Sequence, residues 1–195
     1  MKGLPAFIVR LRNRMPRIAM VLWAVFLIAA GPAAAARLFS QDITDDEIKA
    51  ALMFKFPVYV RWPDDAETHL IDEFKCCVLG NDRLADLMSG FNGKTLMDKT
   101  IRVRRISDIA SLEDCRMLFI GSPGGGALCK VLRAVRGKPI LTVGDGEGFA
   151  ENGVIINFIV VDGSVRFEIN PEAAKRAGLD ISSKLLRLAE IVADG

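Results

Sequence analysis

The chain has 195 residues, with 26 Lys and Arg against 24 Asp and Glu, one histidine and four cysteines. That length suits a single domain with a sizeable core, and a lone histidine leaves a zinc site almost without ligands, so no metal and no cofactor is expected. The positive charge is concentrated at the front: without residues 1–36 the chain keeps 21 basic and 24 acidic residues, a net charge of −3, which gives no reason to expect a nucleic-acid partner.

The front itself reads as a targeting segment. Lys2, Arg10, Arg12, Arg14 and Arg17 stand without an acid among them, IAMVLWAVFLIAA follows, and small residues at Ala34 and Ala36 close it. This order predicts a secretory signal peptide over 1–36, cleaved near Ala36, and one exported domain over 37–195. An uncleaved anchor is the alternative, although the apolar run is shorter than the ~20 residues a spanning helix needs. Export places Cys76, Cys77, Cys115 and Cys129 in an oxidising compartment, where pairing is the default, and no two of them form a CxxC. His69 follows Asp64, Asp65 and Glu67 in a polar loop and reads as solvated.

In the stretch 43–63, Thr44 and Glu47 have capping-box spacing. Ile48, Leu52, Phe56 and Tyr59 or Val60 recur at helical intervals, with Pro57 a kink or early end and Trp62-Pro63 a stop. FKCCVLG (74–80) predicts a buried strand and DRLADLMSGF (82–91) a short helix. TIRVRRI (100–106) predicts a strand with one wet face, CRMLFIG (115–121) a third strand, ALCKVLRAVRG a helix ending at Gly137, and KPILTVG (138–144) a fourth strand. Alternating strands and helices imply βαβ units around a largely parallel sheet. VIINFIVV and SVRFEIN, separated by Asp162-Gly163, then predict an antiparallel hairpin. PEAAKRAG predicts a short helix between proline and glycine. DISSKLLRLAEIV predicts a last amphipathic helix with Ile181, Leu185, Leu188, Ala189 and Val192 on one stripe. The expected fold is α/β: a mixed, largely parallel sheet flanked by helices, with a C-terminal antiparallel hairpin and amphipathic helix.

Chemistry-bearing candidates are few. GSPGGGALCK (121–130) lies where a phosphate loop would, yet fits neither GxGxxG nor GxxxxGK[ST], and reads as a strand-to-helix turn. Asp64 with Asp65, and Asp145 with Glu147, read as solvated loop acids. No nucleophile stands beside the histidine, so an enzyme is not expected. Alternation sends Cys76 and Cys77 to opposite faces. A Cys77–Cys115 bridge would close a loop of about 38 residues and contribute on the order of 3 to 4 kcal/mol, against the alternative that all four cysteines are buried thiols. In RFEIN, Arg166, Glu168 and Asn170 share a polar strand face, while VIINFIVV is apolar on both of its faces. One of these leaves an apolar patch beside Glu168, as a contact site would.

The half from LTVGDGEGF to RLAEIV, together with the helix ending in RWP and the strands CCVLG and LFIG, resembles the YfiR family of periplasmic repressors of a membrane-bound diguanylate cyclase. FEIN followed by AGLDISSKLLRLA is the most specific part. The resemblance implies a homodimer that binds the periplasmic sensor domain of an inner-membrane partner and lowers cyclic-di-GMP output. It places the partner surface on Glu168 and Ile156, with Asn170 on the same polar face, and pairs Cys77 with Cys115; the family's second disulfide has no counterpart here. The other reading is a periplasmic small-ligand sensor working with a histidine kinase or another receptor. Its cleft would lie near SPGGG and GDGEGFAENG, where strand ends gather loops.

Overall fold

The structure, a computed structural model, describes residues 43–63, 72–112, 114–121 and 126–195; the expected signal peptide, Asp64, Asp65, Glu67, His69 and the turn 122–125 lie outside them. Helix α1 (Asp45–Lys55) opens on the expected capping box: the Thr44 backbone amide donates to Glu47 Oε2 at 2.7 Å and the Glu47 amide to Thr44 Oγ1 at 3.4 Å. The same bonds hold the Glu47 carboxyl below its ordinary range. The α-helix stops before Pro57. Phe56–Tyr59 continue as a 3-10 turn, and β1 (Val60–Arg61) follows. Ala50, Met53 and Phe56 form the buried stripe of this segment, with Ile48 and Leu52 at its margin and Tyr59 outside it.

The main sheet has eight strands in the order β10-β8-β7-β6-β5-β2-β4-β3. They are β2 (Glu73–Leu79), β3 (Thr95–Leu96), β4 (Lys99–Ile106), β5 (Met117–Ile120), β6 (Leu141–Gly144), β7 (Ile156–Val161), β8 (Ser164–Ile169) and β10 (Glu190–Ile191). The run β4-β2-β5-β6-β7 is parallel, and β3 on β4 and β8 on β7 are antiparallel. Strand order reverses between β2 and β5. Right-handed crossovers running in opposite directions put their helices on opposite faces, and this is what is found. On one face α1 and α2 (Asp82–Ser89) bury Met53, Phe56, Leu84 and Met88 against Cys76, Phe119 and Leu141. On the other, α3 (Gly126–Val135) buries Leu128, Val131 and Val135 against Cys77, Leu118 and Ile120. At the reversal the two chains touch: a Cβ on Gly121 would lie 2.5 Å from the Gly80 carbonyl oxygen, so no larger residue fits there.

Consecutive Cys76 and Cys77 thus belong to different cores. Cys77 is bonded to Cys115, which leads into β5, with the Cα atoms 6.0 Å apart. Cys76 is a buried thiol whose pKa burial pushes up to about 12, so it is held in its unreactive protonated form. Cys129, free as well, is exposed.

The hairpin turn is as the sequence predicts: Asp162 and Gly163 have φ of 51° and 71°, the pair of positive values a two-residue type I′ turn needs. Helix α4 (Pro171–Arg176) has proline at its start and Gly178, at φ 71°, just beyond its end. The last amphipathic helix is corrected. Residues 180–192 form β9 (Asp180–Ile181), a single turn α5 (Ser183–Leu186) and β10. Pairing elsewhere wins over the local apolar stripe. Ile181 is opposite Val60, the Ser182 amide donates to the Tyr59 carbonyl at 2.8 Å, and Glu190–Ile191 run parallel to Glu168–Ile169. Leu185 is buried as the stripe required, but Leu188 is 73% exposed.

The disulfide spans 38 residues. Converting Cys115 to Ser, with Cys77 also changed to Ala to avoid a stray thiol, is expected to lower unfolding free energy by about 4 kcal/mol in urea titration, following the loop-entropy relation.

Candidate docking face on the C-terminal hairpin

The two faces of the hairpin have opposite fates. Ile156 and Phe158 on β7, with Phe167 and Ile169 on β8, point to the α1 side, where Phe56 stacks on Phe158 with ring centroids 5.7 Å apart and meets Phe167 edge-on at 5.2 Å. Ile156 is 0% exposed and pairs with Ile169. Its placement on the partner surface is therefore corrected: it is core, on the face opposite Glu168, because the larger aromatic cluster with Phe56 decides which side of β7 turns inward.

The other face carries Asn157, Ile159 and Val161 from β7 and Ser164, Arg166 and Glu168 from β8. The α3-side core ends at Val154 and includes no residue of either strand, so Ile159 and Val161 stay half-buried there with no helix over them among the described residues. Asn157, fully buried at the start of this face, spans it laterally. Its Nδ2 donates to Glu168 Oε2 and to the Gly146 carbonyl, both at 3.0 Å, which fixes the Glu168 carboxylate against the loop 145–153. Its Oδ1 has no hydrogen-bond partner among the described residues. Glu190 lies directly across from Glu168 in the parallel β8–β10 register. Opposed residues share a face, so two carboxylates stand side by side, and neither is ion-paired among the described residues. Like charges so placed destabilise a sheet pair.

Asn170 is also corrected. Strand β8 ends at Ile169, and Asn170 is buried as the N-cap of α4. Its Oδ1 accepts from the Ala173 amide at 2.8 Å, and its Nδ2 donates to the Ala150 carbonyl at 2.8 Å and to Asp194 Oδ1 at 2.7 Å. Asp194 is gripped in turn by both terminal nitrogens of Arg176. Hydrogen bonds from Arg176 and then Asn170 hold the Asp194 carboxyl below its ordinary range. This clasp follows β10 directly and fastens it to the hairpin.

Of the other loop acids, Asp145 is engaged: its Oδ2 is 2.8 Å from Lys49 Nζ, which ties the loop after β6 to α1. No group of three or more His, Cys, Asp or Glu that could hold a metal exists among the described residues. Sequence reasoning passed over Asn157, Glu190 and Asp194. A lone amide inside an apolar strand was the available signal for Asn157; the other two depend on β10, which the helix reading hid.

Residues 46–190 match the profile of the YfiR/HmsC-like family, and the chain belongs to that family. The family is one of non-catalytic periplasmic regulators of cyclic-di-GMP signalling, and among the described residues no helix is long and apolar enough to cross a membrane. Among solved structures, the chain is similar to a conserved domain protein from Vibrio cholerae O1 biovar El Tor, with 12% identity and a TM-score of 0.48, covering 78% of this chain and 61% of that one. No curated protein matches the chain.

The clasp carries a pH signature. A carboxyl depressed on folding adds stability that is complete above its unfolded value of about 3.9 and is lost as pH falls through the lower folded value. Asp194→Asn is expected to remove that part of the acid limb, making thermal stability flatter below about pH 4 than in the wild type, as differential scanning at stepped pH will show.

Proposed function

We propose that the protein is exported by cleavage of a signal peptide near Ala36. The 37–195 domain then represses an inner-membrane diguanylate cyclase by docking on its periplasmic sensor domain through the helix-free hairpin face. The observation that carries this reading is the combination on one surface of half-buried Ile159 and Val161 with a carboxylate held in place by Asn157. An apolar strip beside an oriented, unneutralised charge is the composition of a contact centre more than of a solvated sheet face. Glu168 keeps the role the family resemblance gave it. Ile159, three residues beyond Ile156 and so on the outward side, takes the apolar role instead. The acid pair of Glu168 and Glu190 favours a partner that brings a Lys or Arg, which would relieve their mutual repulsion and steer the encounter. The working unit is proposed to be a homodimer that presents two such faces, and the partner's output to be cyclic-di-GMP. A sensor kinase in the cyclase's place would use the same face.

Glu168→Lys and Ile159→Asp test the docking face. Each is expected to weaken co-purification with the partner's periplasmic domain at least about tenfold, the scale of losing one oriented charge or apolar anchor at an interface, and to raise cellular cyclic-di-GMP. For Ile159→Asp stability should stay within about 1 kcal/mol of wild type, since the side chain lies outside the cores. Glu168→Lys should cost about 1 to 3 kcal/mol, because it leaves a buried Asn157 N–H without its acceptor. Ile156→Ala, by contrast, should cost about 2 to 5 kcal/mol of stability as a core truncation. Wild-type co-purification by both outward variants would place docking elsewhere.

A further inference from the structure

The C-terminal turns of α3 and α4 flank a cleft of about 160 Å³ on the α3 side of β6. It is bordered by Asn152 and Gly153, the end of the loop on which the ligand-sensor reading drew, but otherwise lies away from that reading's expected cleft. Its floor is apolar, with Leu132, Val135, Ile140 and Ile155. Its rim carries the guanidinium groups of Arg133, Arg136 and Arg176, and no acidic residue lines it among the described residues.

Cations at a helix C-terminus have an ordinary use, since they offset the macrodipole, so the arginines must be weighed against that before a ligand is invoked. Each helix end is equivalent to roughly half a negative charge. Arg176 is taken up by Asp194 and Arg133 Nε donates to the Cys129 carbonyl at 3.2 Å, whereas neither Arg133 nor Arg136 has a carboxylate within ion-pair distance among the described residues. Three guanidinium charges, less one carboxylate and about one charge from the two helix ends together, leave about one positive charge over an apolar floor. Below them Thr142, 2% exposed, accepts from the Ile155 amide at 3.0 Å, and its hydroxyl can also donate. A buried donor of this kind needs an acceptor, and here it lines a cleft that has room for one.

We propose that this cleft binds a small organic monoanion: a carboxylate held at Arg133 and Arg136, on a ring or short chain that lies over Ile140 and Ile155 and reaches toward the Thr142 hydroxyl. The size follows from the volume, which is close to the ~150 Å³ that takes one benzene ring in an apolar protein cavity. The charge follows from the residual rim charge. A bare inorganic anion would leave the floor unused, and a neutral apolar molecule would leave the residual positive charge of the rim unanswered. The inference is independent of the docking face, which lies on β7 and β8 beyond this cleft.

Benzoate and its neutral isostere benzamide separate these possibilities in an amide NMR titration of the intact chain, followed at Gly137 and Gly153, two glycines on the cleft wall. Benzoate is expected to shift both amides saturably. Benzamide should bind about tenfold more weakly for want of charge-assisted hydrogen bonds, and Arg136→Glu should abolish the benzoate shifts while leaving the melting temperature near wild type. Arg136→Gln, which keeps the length of the side chain but not its charge, should give an intermediate loss. A chain carrying Glu168→Lys should titrate as wild type does, so that failure of the docking proposal leaves this one standing. Equal binding of benzamide, no saturable shift at either glycine with benzoate raised to tens of millimolar, or undiminished benzoate binding by Arg136→Glu would each overturn the assignment.

Discussion

Burial of the central strands on both faces is the constraint from which the rest of the structure follows. In β2 the side chains of Cys76 and Cys77, adjacent in sequence, enter different cores, and β5 does the same with Phe119 and Leu118. A strand apolar on both sides cannot be covered by one layer, since each exposed Leu, Ile or Phe would forfeit about 1.5 to 3 kcal/mol. The reversal of strand order at β2 and β5 supplies the second layer, because crossovers leaving in opposite directions deliver α2 and α3 to opposite faces. The two cores are unequal. The cluster under α3 is the smaller, and it is the one that contains the Cys77–Cys115 bond, so the covalent link reinforces the side with less apolar area to hold it.

Two-sided burial stops at the hairpin. The α1 core continues beneath β7 and β8 through Phe158, Phe167 and Ile169, while the α3 core ends at Val154. The result is a sheet face that is packed behind and, among the described residues, open in front. Asn157 converts that openness into a defined geometry: its amide joins the Gly146 carbonyl to the Glu168 carboxylate, and the loop bearing Gly146 is anchored to α1 through Asp145 and Lys49. The half-buried Glu168 carboxylate is therefore positioned by a chain of contacts that runs back into the main core. Such pre-organisation lowers the ordering cost of association.

Local signals told most of this fold in advance, and they told it where the decisive contact was local. Thr44 with Glu47, Pro57, Asp162-Gly163, and Pro171 with Gly178 each marked an element boundary through a backbone requirement that neighbouring residues satisfy by themselves. The separation of Cys76 from Cys77 was likewise legible, because alternation along a strand is geometric. Which face of VIINFIVV turns inward was not. Ile156-Phe158 and Ile159-Val161 are equally apolar, and the choice rests on Phe56, a hundred residues earlier in the chain. Asn170 shows the limit of alternation itself: the pattern continues through RFEIN, but the strand ends one residue sooner, and a side chain expected on the surface becomes a buried cap.

The C-terminal segment shows the same competition settled against local propensity, with a consequence for the candidate site. An isolated thirteen-residue helix is marginal in water even with a good apolar stripe, because nucleation fixes several residues for one hydrogen bond. Residues 180–192 instead find partners along the fold: Ile181 against Val60, the Ser182 amide on Tyr59, Glu190 and Ile191 beside β8, and the Val192 amide on the Ile169 carbonyl at 2.9 Å. Asp194 then closes the segment on Arg176 and Asn170. Each of these satisfies backbone or charge without a new helix nucleus, and leaving Leu188 exposed is a small loss beside them. What this wrapping also does is carry Glu190 alongside Glu168. A helix would have left Glu168 as a single carboxylate on a strand; the tertiary pairing that replaces the helix makes it half of an acid pair, and so gives the hairpin face the charge that a basic partner would recognise.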